Sequence, residues 1–373
     1  MDRRHPRRSP VRWLPIAGAF VLAAAVTAAV VIPAAADARV NLPDKTPAQL
    51  LEFAAASDVT ALTGTIEQTS DLGLPDLSSL TGPSGTDDSS ADASEAIDLL
   101  TGSHTAKVYL DGDKSRLQVL DRLAERDVYI DRAAGEGWFV DSETKTARHY
   151  TASGDMTAPQ KQPDATAQTP QQMLDDALTK LGDSTEISVG TDGRVAGRDV
   201  YELVLAPNDD ASLIGEVRFA IDGETGAALA ASITARGADP PAFDVAFTDV
   251  SFSAPDPGTL TYTPAPGYTV ENQSLSAPDH AATPGAGDTG ADAAHQPVVH
   301  GEGWTAVVEL PPADTSTPGA TSEQQATLES LTRPVAGGRV LETALVTVYF
   351  ADDGRVFAGA VSADHLADIA AGD

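Results

Sequence analysis

The chain has 373 residues, with 24 Lys and Arg against 55 Asp and Glu, a formal net charge of −31. Such a surface excludes nucleic acid as a partner, because neutralising phosphates requires clustered Lys and Arg. With 42% hydrophobic residues and no Cys, it can build a core but cannot carry a disulfide, a thiolate metal site, a cysteine nucleophile or a lipid-modified cysteine.

Arg3, Arg4, Arg7, Arg8 and Arg12 precede an uncharged stretch from Trp13 to Ala36. A basic segment followed by an apolar run marks export. Ala36-Asp37-Ala38 offers a small-x-small cleavage site, so residues 1–38 read as a signal peptide. The alternative is that residues 13–36 stay as an N-terminal membrane anchor, since they are long enough to span a bilayer. Both readings place the rest of the chain outside the cytoplasm, secreted or anchored to the cytoplasmic membrane. Without residues 1–38 it keeps 19 basic and 53 acidic residues, and an anionic bilayer surface should repel it.

Thr46-Pro47 predicts a helix start, with Thr46 as N-cap and Pro47 in the first turn. Leu50, Leu51, Phe53 and Ala54 follow at helical spacing. A strand is expected around 59–69. Residues 71–103, rich in Gly, Pro, Ser and Asp, read as a flexible acidic insertion with a short helix at 94–100. From His104 the period becomes two. Ala106, Val108 and Leu110 lead to an Asp111-Gly112 hairpin turn, then Leu117 and Val119, Val128 and Ile130, Trp138 and Val140, and a strand over 146–150. Five short strands in succession predict an antiparallel meander.

Thr169-Pro170 repeats the helix start, and Met173, Leu174, Ala177, Leu178 and Leu181 form an apolar stripe. A second meander follows: 187–195, an Ala196-Gly197 turn, Tyr201, Leu203 and Leu205, then Val217, Phe219 and Ile221, a turn at 222–226, and 229–235. Phe243, Val245 and Phe247 alternate, and Val250 and Phe252 resume one residue out of phase, which predicts a bulge. Residues 255–267 read as turns and 273–298 as a linker. A smaller unit is expected over 299–373, with strands 304–310, 340–350 and 356–361 and helices at 322–332 and 363–371. The division is therefore a leader (1–38), a main domain (39–272), a linker and a small C-terminal α+β domain.

Gly285-Ala286-Gly287-Asp288-Thr289-Gly290 satisfies the spacing of a dinucleotide loop, but no strand or helix flanks it. Asp111-Gly112-Asp113 begins like a calcium loop and lacks the later ligands. His104 and His149 lie near acidic residues, yet no Ser stands in a nucleophile-elbow context. No catalytic residue, metal site or cofactor site emerges. What remains is a sheet of about 11 antiparallel strands, too large to stay flat, whose apolar face two short helices leave partly uncovered. Such a hollow is the usual place for a hydrophobic ligand.

The order helix, strand, loop, five strands, helix, five strands resembles the LolA-like lipoprotein-carrier superfamily, which includes RseB-type envelope-stress sensors. The resemblance is carried by Arg122-Leu123-Ala124-Glu125-Arg126-Asp127-Val128-Tyr129-Ile130 with Trp138-Phe139-Val140-Asp141-Ser142, by residues 195–205, by Ile221-Asp222-Gly223-Glu224-Thr225-Gly226 and by 243–252. It covers about residues 46–270. It implies an unclosed β half-barrel with two lid helices, holding the acyl chain of a lipid or lipoprotein, and no enzyme. Exposing a chain of about fifteen methylenes costs on the order of 12 kcal/mol, at ~0.8 per CH₂. The expected lining is Val108, Leu110, Leu117, Val119, Val128, Ile130, Trp138, Val140, Tyr201, Leu203, Leu205, Val217, Phe219 and Ile221. Leu50, Phe53, Met173, Leu174 and Leu178 are expected on the lid helices. The assignment follows strand parity, which a one-residue slip inverts. The acidic insertion and the appended domain depart from the simple carriers, and no basic residue in 46–106 matches their lid-locking arginine. They fit instead an RseB-like sensor or regulatory module with a membrane-protein partner.

Overall fold

The structure, a computed structural model, describes residues 40, 42–73, 103–120, 124–153, 169–180, 182, 184–276, 297–310 and 331–372. The leader (1–38), residues 74–102 of the expected acidic insertion with its helix at 94–100, residues 322–330 of the expected helix at 322–332, and the glycine-rich 285–290 lie outside the described residues.

Helix α1 (Pro47–Ala55) starts as expected, with a reciprocal capping box. Thr46 Oγ1 accepts from the Gln49 amide and Gln49 Oε1 accepts from the Thr46 amide. Helix α2 (Pro170–Lys180) repeats the device with Thr169 and Gln172. A third helix, α3 (Ala363–Ala371), closes the chain.

The large sheet contains β1 (Ala61–Ser70), β2 (His104–Asp111), β3 (Lys114–Leu120), β4 (Glu125–Asp131), β5 (Glu136–Asp141), β6 (Thr146–Ser153), β7 (Thr185–Val189), β8 (Gly193–Val195), β9 (Arg198–Pro207), β10 (Ile214–Asp222), β11 (Ala228–Ala235), β12 (Phe243–Ser251) and β13 (Thr269–Ser276). Their order is β13-β6-β5-β4-β3-β2-β1-β12-β11-β10-β9-β7, with β8 paired to β9. The two ends do not meet, so the expected α+β half-barrel is present, with 13 strands rather than about 11.

One expectation is corrected: the sheet is mixed. β13 runs parallel to β6 over eight pairs, from Thr269↔Thr146 to Ser276↔Ser153. The reason is the connection. The 3₁₀ turn Pro257–Leu260 crosses over β2 and β3, so the chain reaches the far edge by a crossover and not by a hairpin. β13 also occupies the first residues of the expected linker.

The expected bulge is present: Thr65 pairs with Asp249 and Ile66 with Phe247, leaving Thr248 unmatched. Gly64 faces this site, where a Cβ would lie 2.7 Å from the Phe247 ring and 2.6 Å from the Asp249 carbonyl. The Ala196-Gly197 turn has φ of 50° and 78°, with both residues left-handed as a tight hairpin turn demands.

The small sheet has the order β14-β15-β19-β18-β17-β16, from β14 (Val298–His300), β15 (Val307–Leu310), β16 (Arg333–Val335), β17 (Gly338–Glu342), β18 (Thr347–Ala351) and β19 (Val356–Gly359). The single strand expected over 340–350 is instead the hairpin β17–β18. Thr343 Oγ1 accepts from the amides of Leu345 and Val346 and breaks the strand. The strand expected from Trp304 starts at Val307. Gly303–Thr305 form one 3₁₀ turn, and the Trp304 indole donates to Thr185 Oγ1 at 2.8 Å.

The two sheets share a core. Leu345, Val346 and Ala360 belong to the same apolar cluster as Phe219, Phe243 and Val245. The Leu213 amide donates to the Ala360 carbonyl at 2.7 Å, and the Ala344 amide to the Leu72 carbonyl at 3.0 Å.

Candidate functional site: the inner face of the large sheet

Strand pairing assigns each side chain to a face. Tyr201, Leu203 and Leu205 of β9 oppose Ile221, Phe219 and Val217 of β10. Through β11, β12 and β1 the same face continues to Ile66, then to Ala106, Val108 and Leu110 of β2. Beyond β2 it carries Val119 and Leu117 of β3, Val128 and Ile130 of β4 and Phe139 of β5. The helices pack on this inner face, α1 against β7 and β9 and α2 against β11.

The two ends of the inner face differ. Under the helices the space is filled: Leu50, Leu174, Leu203 and Leu205 are 0% exposed, and Phe219 is 1% exposed. The expectation of a hollow beneath the helices is corrected there. Leu50 and Leu174 are fully buried in the core that the sheet forms there, and α1 is further seated by the Phe53–Tyr201 edge contact at 6.3 Å and the Tyr201 hydroxyl donating to the Pro43 carbonyl. Phe53, Met173 and Leu178 stay partly buried against that core.

At the other end, Val108, Leu110, Leu117, Val128, Ile130 and Phe139 are only half-buried. They form one surface, because Val108, Leu117, Val128 and Phe139 are successive cross-strand neighbours. At about 4.8 Å per strand, that row spans roughly 14 Å. It ends at Arg148 of β6, opposite Phe139, whose guanidinium lies 5.8 Å over the Phe139 ring and 3.4 Å from Glu271.

Trp138 and Val140 are not on this face. Trp138 pairs with Tyr129 and Val140 with Asp127, so they point outward while Phe139 points in. Parity could not settle this, because residues 138–140 are all apolar. On the outer face Trp138 stacks on His149 at 4.2 Å and meets Tyr262 at 5.2 Å, within a cluster including Tyr129, Val140 and Ala147. Beside it, Arg116 Nε donates to Asp127 Oδ1 at 2.7 Å and its Nη2 to Glu125 Oε1 at 3.3 Å. Burial, with Glu125 adding to it, pushes the Asp127 carboxyl up to about 6 against the pull of Arg116.

A cavity of about 320 Å³ at α1 is lined by Asp44, Lys45, Gln49, Glu52, Phe53 and Ala56. Its mostly polar lining does not suit an apolar chain. Among the described residues no three His, Asp or Glu side chains converge as a metal site would, and no helix is long and apolar enough to cross a membrane.

No family model matches the chain, and no curated protein matches it. Among solved structures, it is similar to a chain of the Pseudomonas aeruginosa MucA/MucB complex, with 15% identity over 86% of this chain and 94% of that one and a TM-score of 0.41. It is similar to MucB solved alone, with 15% identity over 86% and 96% and a TM-score of 0.40. It is also similar to a LolA superfamily protein from Nitrosomonas europaea, with 9% identity over 59% and 99% and a TM-score of 0.24. At such identity no residue role transfers.

Proposed function

We propose that this is an exported, non-catalytic protein that holds the acyl chain of a lipid or lipoprotein against the inner face of β2–β5. The observation that supports it is the contrast along one sheet face: fully buried under α1 and α2, only partly buried and apolar from Val108 to Phe139. An apolar surface continuous with the core and not covered by any helix among the described residues costs solvation free energy until an apolar ligand lies on it. In this reading residues 1–38 direct export or anchor the chain, 39–272 form the binding body and 299–373 a docked small domain.

Mass spectrometry of lipid extracted from the protein purified from its host should find acyl chains. Val128→Asp should weaken binding of a fluorescent fatty acid by at least about tenfold, as expected from burying an unpaired carboxylate. Recovering no lipid, together with no binding of the probe by the unsubstituted protein, would remove the reading.

A second reading, an envelope sensor or regulatory module with a membrane-protein partner, is supported by the small sheet, which adds a rigid surface to the binding body. Deleting residues 299–373 is a poor test of it, because Leu345, Val346 and Ala360 complete the common core. Charge substitutions at exposed Val298 and Val299 test it better: partner capture should fall, and capture unchanged by either counts against it.

A further inference from the structure

We infer that the outer edge of β13 accepts an extended polypeptide segment, neutral or basic and rich in β-branched residues, as an additional strand of the large sheet. An edge strand offers a row of main-chain donors and acceptors, and proteins ordinarily blunt it with short length, Lys, Pro, bulges or a cover.

The other edges are blunted. β14 and β16 have three residues each, and β16 carries Arg333 and Pro334. β7 has only five residues, and the Trp304 indole donates to Thr185 Oγ1 at its start. The three-residue β8 is an arm of a tight hairpin.

β13 is not shortened, bulged or broken by Lys or Pro, and its one inward-pointing charge is neutralised by an ion pair. It is eight residues long, pairs with β6 without a register shift, and contains no Lys, Arg or Pro. Among the described residues no strand pairs with its outer edge. Its single charge, Glu271, is turned to Arg148 on the inner face. On the outer face Val270 is 43% exposed, one of the exposed large hydrophobics with Val298 and Val299.

Charge selects the occupant. A second copy of this chain would bring two bodies of net charge −31 together, and that repulsion opposes an edge-to-edge dimer. A neutral or basic segment meets no such barrier. Main-chain bonds would supply its affinity, and a β-branched side chain beside Val270 its preference. The edge does not depend on the acyl-binding reading, and its test uses a different readout.

The probe is an octapeptide of alternating Val and Thr or Lys, added at about 1 mM to the full-length chain while amide exchange is followed. Exchange across residues 269–276 should slow about tenfold, the factor expected near ten times the dissociation constant. The same peptide N-methylated at alternate amides on its pairing edge, with its charge unchanged, should give no protection. Val270→Lys, at an exposed position, should keep the melting temperature and weaken the protection several-fold. Equal protection by both peptides, or by neither, overturns the inference. So does protection that rises with protein concentration in the absence of peptide, which would identify a second copy as the occupant.

Discussion

Thr69 of β1 and Asp244 of β12 face each other directly across the strand pair at the centre of the large sheet. Asp244 Oδ1 and Thr69 Oγ1 are both buried without a hydrogen-bond partner among the described residues. Burial alone pushes the Asp244 carboxyl up to about 7. A carboxyl with a folded value above its unfolded one holds its proton longer in the folded state. The stability it permits is therefore complete below about pH 4 and lost as pH rises toward 7. Asp244→Asn should remove this loss. The difference in unfolding free energy between variant and parent should grow with pH between about 4 and 7 to on the order of 3 kcal/mol. A constant difference in denaturant melts across that range would show that the carboxyl is not strained.

Trp138 and Phe139 are adjacent in sequence and on opposite faces, so they should respond oppositely to ligand. Trp138→Phe should leave fatty-acid affinity within about twofold while loosening the contact with Tyr262, at a stability cost of roughly 1 kcal/mol. Phe139→Ser should weaken binding by at least about tenfold, because it removes an aromatic ring from the partly buried row. Titration of each variant with the same fluorescent fatty acid measures both effects, and equal loss in the two would mean that the register assigned to β5 is wrong.

Much of this architecture is legible from local rules. Thr46-Pro47 and Thr169-Pro170 encode capping boxes within four residues, and the slip between Phe247 and Val250 encodes the bulge, because each depends only on near neighbours. Three features depend on distant pairing and are not legible that way. The side to which Trp138 points is set by its pairing with Tyr129 across β4 and β5. The parallel docking of β13 is set by a crossover that no periodicity marks. The filled space under the helices is set by how Leu50 and Leu174 interlock with strands far away in sequence, whereas strand parity reports only which side chains are apolar. Among the described residues the partly buried apolar surface consequently lies on β2–β5 and not beneath the helices.

Leu345 lies in the turn between β17 and β18, is 0% exposed and belongs to the core of the large sheet. Leu345→Ala should cost 2–5 kcal/mol, the usual range for a cavity at a fully buried leucine. Because the core is shared, both sheets should lose stability together. Amide exchange in β10 and in β18 should accelerate by similar factors; acceleration confined to β18 would show the small sheet unfolding independently.

Arg198 and Asp222 form the counterpart of the solitary Asp244. Asp222 is 1% exposed, and Arg198 Nε and Nη2 donate to its two oxygens at 2.5 and 3.0 Å. Thr225 adds its amide and hydroxyl at 2.9 and 2.7 Å. Burial pulls the carboxyl upward, but the bonds from Arg198 and Thr225 outweigh it and hold the group below the ordinary carboxylate range. The sign is now reversed: its contribution is present above the unfolded value and is lost as pH falls through the lower folded value. Arg198→Gln leaves a buried carboxylate with only the Thr225 bonds, and should cost about 3–5 kcal/mol near neutral pH. The cost should shrink as the carboxyl protonates below about pH 4. Asp222→Asn keeps the side-chain shape and should be less damaging than Arg198→Gln, since no uncompensated charge is left buried. Urea melts of both variants at pH 7 and pH 3.5 give the comparison. An Arg198→Gln penalty that does not change with pH would mean that the guanidinium acts through its packing on the Phe252 ring, 4.8 Å away, and not through its charge.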